Sequence, residues 1–309
     1  MLFIAGLVSL LGMIAYHFFP KEYAPGEPNG GTLGSGSMFD MIAPYYDSAN
    51  KFMSLGFDQS WRQSLVENLD VKVDDIILDV STGTGDVAIW IAKKLISIGV
   101  TNGQPVTGFD PSSKMLSYAA VKIAKGNFDD MIQLVQGDAQ NMDTLKSDYY
   151  SKVTMSFGIR NVPDRMKALH EIFRVMRNDG KLIVMEFSTP LTGYLAPVSR
   201  FLLQNFVPTV GALISGGHKA EYDHLRDSIL NFPSPAGFIE LVSSCGFTDC
   251  TNVDLFLDTV HLYMCFKKSV IVYDESATVE RRTVSEETPE NMTPETETSD
   301  VHVADTMAA

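Results

Sequence analysis

Residues Ile76 to Asp86, IILDVSTGTGD, place an acid and two glycines where a strand meets a helix. Asp79 ends a short aliphatic run suited to a buried strand. Gly83 and Gly85 lie in the loop, and the stretch VAIWIAKKLISI from Val87 suits a helix. Strand, glycine turn and helix in that order form a cradle for a nucleotide. The glycines let the backbone come close to a ligand, because neither carries a Cβ. A carboxylate at the strand end would repel a pyrophosphate but could pair with the cationic amino-acid end of a ligand. S-adenosylmethionine has such an end, an ammonium group and a sulfonium without phosphate, and it is the ligand this loop predicts.

Two further strand ends carry acids. PVTGFD (Pro105 to Asp110) reads as a second strand beside the first, and an acid at its tip can accept both hydroxyls of a ribose. The interval from Asp79 is longer than the ~20 residues usual for that role. The excess falls in the polar turn from Gly99 to Gln104. Asp110 could instead only cap the helix that Pro111, Ser112 and Ser113 begin. A third strand, Ile132 to Val135, leads into Gly137-Asp138-Ala139. Asp138 can meet an adenine amino group there, with Ala139 packing beside the ring. Tyr118 and Lys122 imitate the Tyr-x-x-x-Lys relay of short-chain dehydrogenases, yet they follow the second strand, far too early for that role.

The elements that must hold these tips alternate. Residues Met38 to Leu69 read as mostly helical and rich in aromatics, followed by strands at Ile76 to Val80 and Val106 to Phe109. A helix from Ser112 to about Lys125 precedes the third strand, and a fourth strand covers roughly Ser151 to Phe157. Met166 to Met176 is amphipathic, with Leu169, Ile172, Phe173 and Met176 on one face. Arg177 to Gly180 closes that helix, and Lys181 to Phe187 is a fifth strand. Helical segments with breaks follow from Pro190 to Pro235, a candidate substrate cover. Thr248 to Asp254 and Thr259 to Phe266 read as a hairpin. The pattern predicts an α/β fold, a doubly wound, mostly parallel Rossmann-like sheet of seven strands over residues 38–268.

Bulk properties bound the rest. A chain of 309 residues that is 45% hydrophobic can bury one large core. Ten of its acids against two arginines lie between Asp274 and Ala309, so −8 of the net charge of −14 belongs to that end. With its Glu, Thr, Ser and Pro, the segment 269–309 is expected to be an acidic disordered tail. No basic stripe exists, which excludes nucleic acid as a partner. Cys245, Cys250 and Cys265 lack metal-ligand spacing and read as buried thiols. No metal site is expected, which disfavours metal-assisted transfer. Residues 2–19, LFIAGLVSLLGMIAYHFF, are long enough to span a thin bilayer. Neither a basic start nor an Ala-x-Ala site marks a signal peptide. Residues 1–20 are therefore expected to form a transmembrane anchor, followed by a flexible linker at 21–37.

The chain also resembles a family. MFDMIAPYYDSANKFMSLGFDQSWR (Met38 to Arg62), FGIRNVPDRMKAL (Phe157 to Leu169), MEFSTP (Met185 to Pro190) and EYDHLRDSILNFP (Glu221 to Pro233) are similar to segments of the UbiE/Coq5/MenG quinone C-methyltransferases. The Phe-Gly-Ile-Arg-Asn-Val string is the most specific of these, and the likeness runs from about Met38 to Lys267. It implies a class I methyltransferase that uses S-adenosylmethionine to methylate a ring carbon of a polyprenylated benzoquinol or naphthoquinol. It also implies cofactor contacts at Thr84, Asp110, Asp138 with Ala139, and Ser156. Thr82 departs from the family's usual Gly or Cys. Asp223 and His224 depart from its usual aromatic or basic pair, which leaves quinone specificity open.

The chemistry is an in-line displacement onto a reduced, ionisable ring. Arg160, just past the fourth strand, is the expected catalytic residue, stabilising the developing phenolate. The alternative is that it ties its loop to a carboxylate. A membrane-resident quinol suits an anchored enzyme, expected at the mitochondrial inner membrane ahead of a plastid, with other quinone-biosynthesis enzymes as further partners. Two other readings stay open: methylation of a different lipophile such as a sterol or phenol, and a non-catalytic member of a biosynthetic assembly.

Overall fold

The computed structural model describes residues 36–54, 56–188 and 219–268. The anchor, most of the linker, the tail and much of the expected cover lie outside these residues. Among the described residues, no helix is long and apolar enough to cross a membrane.

The chain opens with α1 (Gly36–Met53) and α2 (Asp58–Leu69). The expected single helical stretch is thus two helices, divided where Gly56 takes φ +81°. Gly36 and Ser37, the last two residues of the expected linker, already lie in this helix. There follow β1 (Ile77–Val80), α3 (Asp86–Ser97), β2 (Val106–Asp110), α4 (Ser113–Gly126), β3 (Ile132–Gln136) and β4 (Tyr150–Ser156). A 3₁₀ turn at Ile159–Asn161 leads to α5 (Arg165–Val175) and β5 (Met176–Phe187). The chain continues through α6 (Lys219–Leu230), α7 (Pro235–Ser244), β6 (Thr248–Phe256) and β7 (Val260–Lys267).

The seven strands form one sheet in the order β3-β2-β1-β4-β5-β7-β6. Strands β1 to β5 pair in parallel, and β7 joins β5 and β6 antiparallel. Chain order reverses between β1 and β4, so their carboxyl ends border the crevice where such sheets bind ligands. Alternation along β1 explains why both faces are covered. Leu78 and Val80 join a core with α5 and α7, while Ile77 joins another with α2, α3 and α4. Each such side chain removed from water contributes roughly 1.5–3 kcal/mol.

Two expectations need correction. Arg177–Gly180 does not merely close α5. Met176 is already extended and pairs with Tyr150, and Lys181 pairs with Lys152, so these polar residues bulge within a longer β5. Cys250 and Cys265 are not free thiols but a disulfide across β6 and β7; Cys245 alone stays a buried thiol. Spacing in sequence could not reveal this, because the register of the hairpin decides which cysteines meet.

Candidate active site

The glycine loop begins at β1, but Asp79 does not face the crevice. It is 1% exposed, and its two oxygens accept from the Thr82 hydroxyl at 2.6 Å and the Thr154 hydroxyl at 2.7 Å. Burial pushes its carboxyl up to about 6, and these hydroxyls only partly offset that. The expectation that Asp79 pairs with a ligand's cationic end is therefore corrected. It binds the Thr82 side of the loop to β4.

Asp110, at the end of β2, lines the crevice. Its Oδ2 accepts the Gly83 amide at 2.8 Å and its Oδ1 the Ser112 amide at 2.9 Å. Burial pushes it up to about 6 as well. Capping is real here too, since Ser112 caps α4 by accepting from the Met115 amide. Asp110 is not itself the cap; it holds the capping serine through the Ser112 amide. Gly83, Asp138, Ala139 and Ser156 line the same crevice. Asp138 is exposed and accepts the Gln140 amide at 2.8 Å, which holds its carboxylate at the crevice edge.

Three residues chosen from the sequence sit behind the wall. Gly85 caps α3 with φ +84°, a conformation a side chain would strain, and a Cβ there would also lie 3.1 Å from Ala119. The Thr84 hydroxyl donates to Asp47 at 2.6 Å and accepts from Lys122 at 2.9 Å. Lys122 also pairs with Asp47 at 2.6 Å and Asp86 at 2.7 Å. The lysine of the false dehydrogenase motif thus ties α1 to the glycine loop, while Tyr118 is exposed. Arg160 is 8% exposed; its Nη1 donates to Glu186 at 2.8 Å and to the Phe157 carbonyl at 2.6 Å. Glu186, fully buried, also accepts from the Arg160 and Phe187 amides.

The loop after β4 forms the other wall. Phe157 takes φ +53°, a sterically costly conformation for an aromatic residue and one that recurs at functional sites. This twist brings Gly158 so close to Ser81 that a Cβ would lie 2.6 Å from the serine's own Cβ. Asn161, Val162 and Pro163 then complete the lining. Helix α1 covers the opening with Gly36, Phe39 and Tyr46. From the sequence Tyr46 is only a candidate with no assigned role, and Phe39 only one residue of an aromatic-rich stretch that could admit a substrate tail. The positive φ of Ser81 and Phe157 has no sequence signal.

These residues fit S-adenosylmethionine. The Ser156 hydroxyl is buried in the crevice wall without a described hydrogen-bond partner, a vacancy a polar ligand group can fill. Asp110 keeps lone pairs beyond the two amides it accepts, and Asp138 and Ala139 line the same crevice. No phosphate-binding cation lines the crevice among the described residues.

A match to the ubiE/COQ5 methyltransferase family spans residues 33–267. The chain belongs to that family. The UbiE ubiquinone/menaquinone biosynthesis C-methyltransferase of Geotalea daltonii is 34% identical over 226 residues, covering 73% of this chain and 93% of that protein. The demethylmenaquinone methyltransferase of Thermotoga maritima is 36% identical over 211 residues, 68% of this chain and 86% of its own. Fold likeness extends further. A Methanococcus maripaludis protein assigned as an S-adenosyl-L-methionine-dependent methyltransferase matches with a TM-score of 0.55 at 16% identity, over 80% of this chain and all of that one. The [4+2]-cyclase SpnF matches with a TM-score of 0.50 at 13% identity, over 75% and 95%. A cyclase on the same frame illustrates that the sheet alone does not fix the chemistry. For members of the ubiE/COQ5 family, the cofactor is S-adenosylmethionine.

Proposed function

We propose that this protein methylates a ring carbon of a polyprenylated benzoquinol or naphthoquinol. The observation that carries the reading is the joining of two walls in one crevice. The strand-end acids suit the methyl donor, and the Phe157–Val162 turn belongs to the family of the quinone enzymes named above. Bound S-adenosylmethionine supplies an electrophilic methyl group. Gly83, Asp110, Asp138, Ala139 and Ser156 hold it, and Thr84 and Gly85 fix the loop from behind.

The protein's own work is alignment and charge. Fixing donor and acceptor in line is worth up to roughly 7–11 kcal/mol in favourable systems. Arg160 carries the catalytic charge: one guanidinium nitrogen is neutralised by Glu186, while its Nε–H is buried without a partner among the described residues. A donor left in that state can turn to a phenolate oxygen, directly or through water. Tethering at residues 1–20 would bring the crevice to a substrate that stays in the bilayer.

Purified protein with labelled S-adenosylmethionine, given demethylated benzoquinol and naphthoquinol in reduced and oxidised forms, tests the reading. Label is expected in a reduced quinol only. Label in neither, with the donor bound, refutes it.

A further inference from the structure

We propose that His224 accepts the proton of the acceptor's ring hydroxyl, with Asn161 holding the imidazole so that Nδ1 is its basic atom. This rests on the quinol reading and deepens it. Asn161 lines the crevice, on the 3₁₀ turn against which α6 packs. Its amide nitrogen is turned to the Phe157 carbonyl at 3.5 Å, and its Oδ1 lies 3.3 Å from His224 Nε2. An amide oxygen can only accept, so Nε2 carries the hydrogen, and a neutral ring then keeps its lone pair on Nδ1. No described residue bonds that nitrogen. The other described histidines stand elsewhere: His261 is buried on β7 between Asn252 and Asp258, and His170 is exposed on α5.

The charges around His224 favour the neutral ring. Burial, then Arg160 on the facing turn, lower its pKa, and Asp227 one turn along α6 only partly opposes them. Asp223 and Asp227 are themselves taken by Arg226, at 3.0 and 2.8 Å. Arg160 therefore serves both partners of the transfer. It disfavours a proton on His224 and favours negative charge on the ring oxygen.

A phenol titrates near 10 and histidine near 6.5, so full ionisation before transfer would be uphill by roughly 3–4 units. The proton instead moves as the new bond forms. The phenolic O–H bond breaks and its proton goes to Nδ1. The freed pair shifts through the ring to the carbon that bonds the methyl group. The methyl–sulfur bond breaks with its pair left on a neutral thioether. The proton on the ring carbon then leaves to water, its bond pair returns through the ring to the oxygen, and Nδ1 gives its proton back to that oxygen.

The test uses the full-length protein, reduced demethylquinol and three readouts. Wild-type kcat/KM should fall on acidification with a limb below 6.5, and the ligand-free His224 resonance should titrate in NMR at the same pH. His224→Gln should lose about 10²-fold or more in kcat, lose that limb, and bind S-adenosylmethionine unchanged. Asn161→Asp should move the limb to higher pH, because a carboxylate would stabilise the imidazolium. Turnover of His224→Gln within two-fold of wild type, or a limb that stays in place in both variants, overturns the proposal while leaving the quinol reading intact. A wild-type protein inert on every quinol would remove both.

Discussion

The two walls of the crevice treat charge in opposite ways. On the donor wall, Asp110 is buried, bonded to backbone amides and without a cation beside it among the described residues; burial pushes its carboxyl up to about 6. On the acceptor wall, Arg160 is equally enclosed but is already paired with the fully buried Glu186. One wall holds a charge that awaits a ligand; the other holds a charge compensated in advance, with its buried Nε–H to spare among the described residues. The difference matches the two partners the reaction needs. A cationic donor rewards an uncompensated acid in the ground state. The acceptor becomes anionic only during transfer, and a cation free to move would bind any anion that entered.

The largest test of this contrast breaks the compensated wall. Arg160→Met would strand the Glu186 carboxylate, and breaking a buried pair in this way costs about 3–5 kcal/mol. Urea unfolding should show that loss. Arg160→Met combined with Glu186→Gln removes both charges and should recover most of the stability. Its kcat should remain down by about 10²–10³, the usual cost of a lost oxyanion donor. Were turnover to return along with stability, Arg160 would be only a strut for its loop.

Next in size is the uncompensated wall. Asp110→Ala removes the acceptor for ribose hydroxyls, and hydrogen bonds to a charged group are worth about 1.5–3 kcal/mol. Calorimetry should give an S-adenosylmethionine Kd raised by roughly 10²-fold at pH 7.5. Asp79→Asn should leave that Kd within a few-fold, since Asp79 is turned to Thr82 and Thr154. Equal losses in both variants would erase the distinction between the two strand ends.

That distinction marks where the sequence stops speaking. Alternation of elements and acids at successive strand tips are visible because strand periodicity and turn residues are local. They lead to the sheet, to Asp110 and to Asp138. Which way a carboxylate turns depends on partners from distant segments: Thr154 lies 75 residues from Asp79 and could not be anticipated. The same holds for Glu186, 26 residues from Arg160, and for Asp47, 37 from Thr84. Of the two readings for Arg160, phenolate charge or loop tie, the observed ion pair realises the second while sparing Nε for the first. The cysteines are the converse case, three residues whose types were plain and whose pairing only the β6–β7 register determines.

Asp79 yields a further test through pH. Its folded pKa, about 6, lies above the ordinary 3.8, so the folded protein holds a proton the unfolded chain has released. The contribution is full below about pH 4 and is lost as pH rises through 6. Asp79→Asn should flatten that decline by roughly 2–3 kcal/mol between pH 4 and 7. Unfolding midpoints across this range measure it, and an unchanged slope would mean that Asp79 is not the titrating group.

The smallest expected effect lies at the cover between the walls. Lys122 holds Asp47 of α1 against Asp86 and Thr84 of the glycine loop, and its side chain is 28% exposed. Ion pairs this open are individually worth about 0–1 kcal/mol. Lys122→Met should therefore change the unfolding midpoint little. Yet α1 places Gly36, Phe39 and Tyr46 over the crevice, so loosening it should act on escape of the donor rather than on its contacts. Stopped-flow release of S-adenosylmethionine should quicken several-fold while its association rate hardly moves. Lys51→Met, at an exposed position of the same helix, controls for lost charge. If both variants release the donor at the wild-type rate, α1 is a fixed wall, and the crevice is gated from the acceptor side alone.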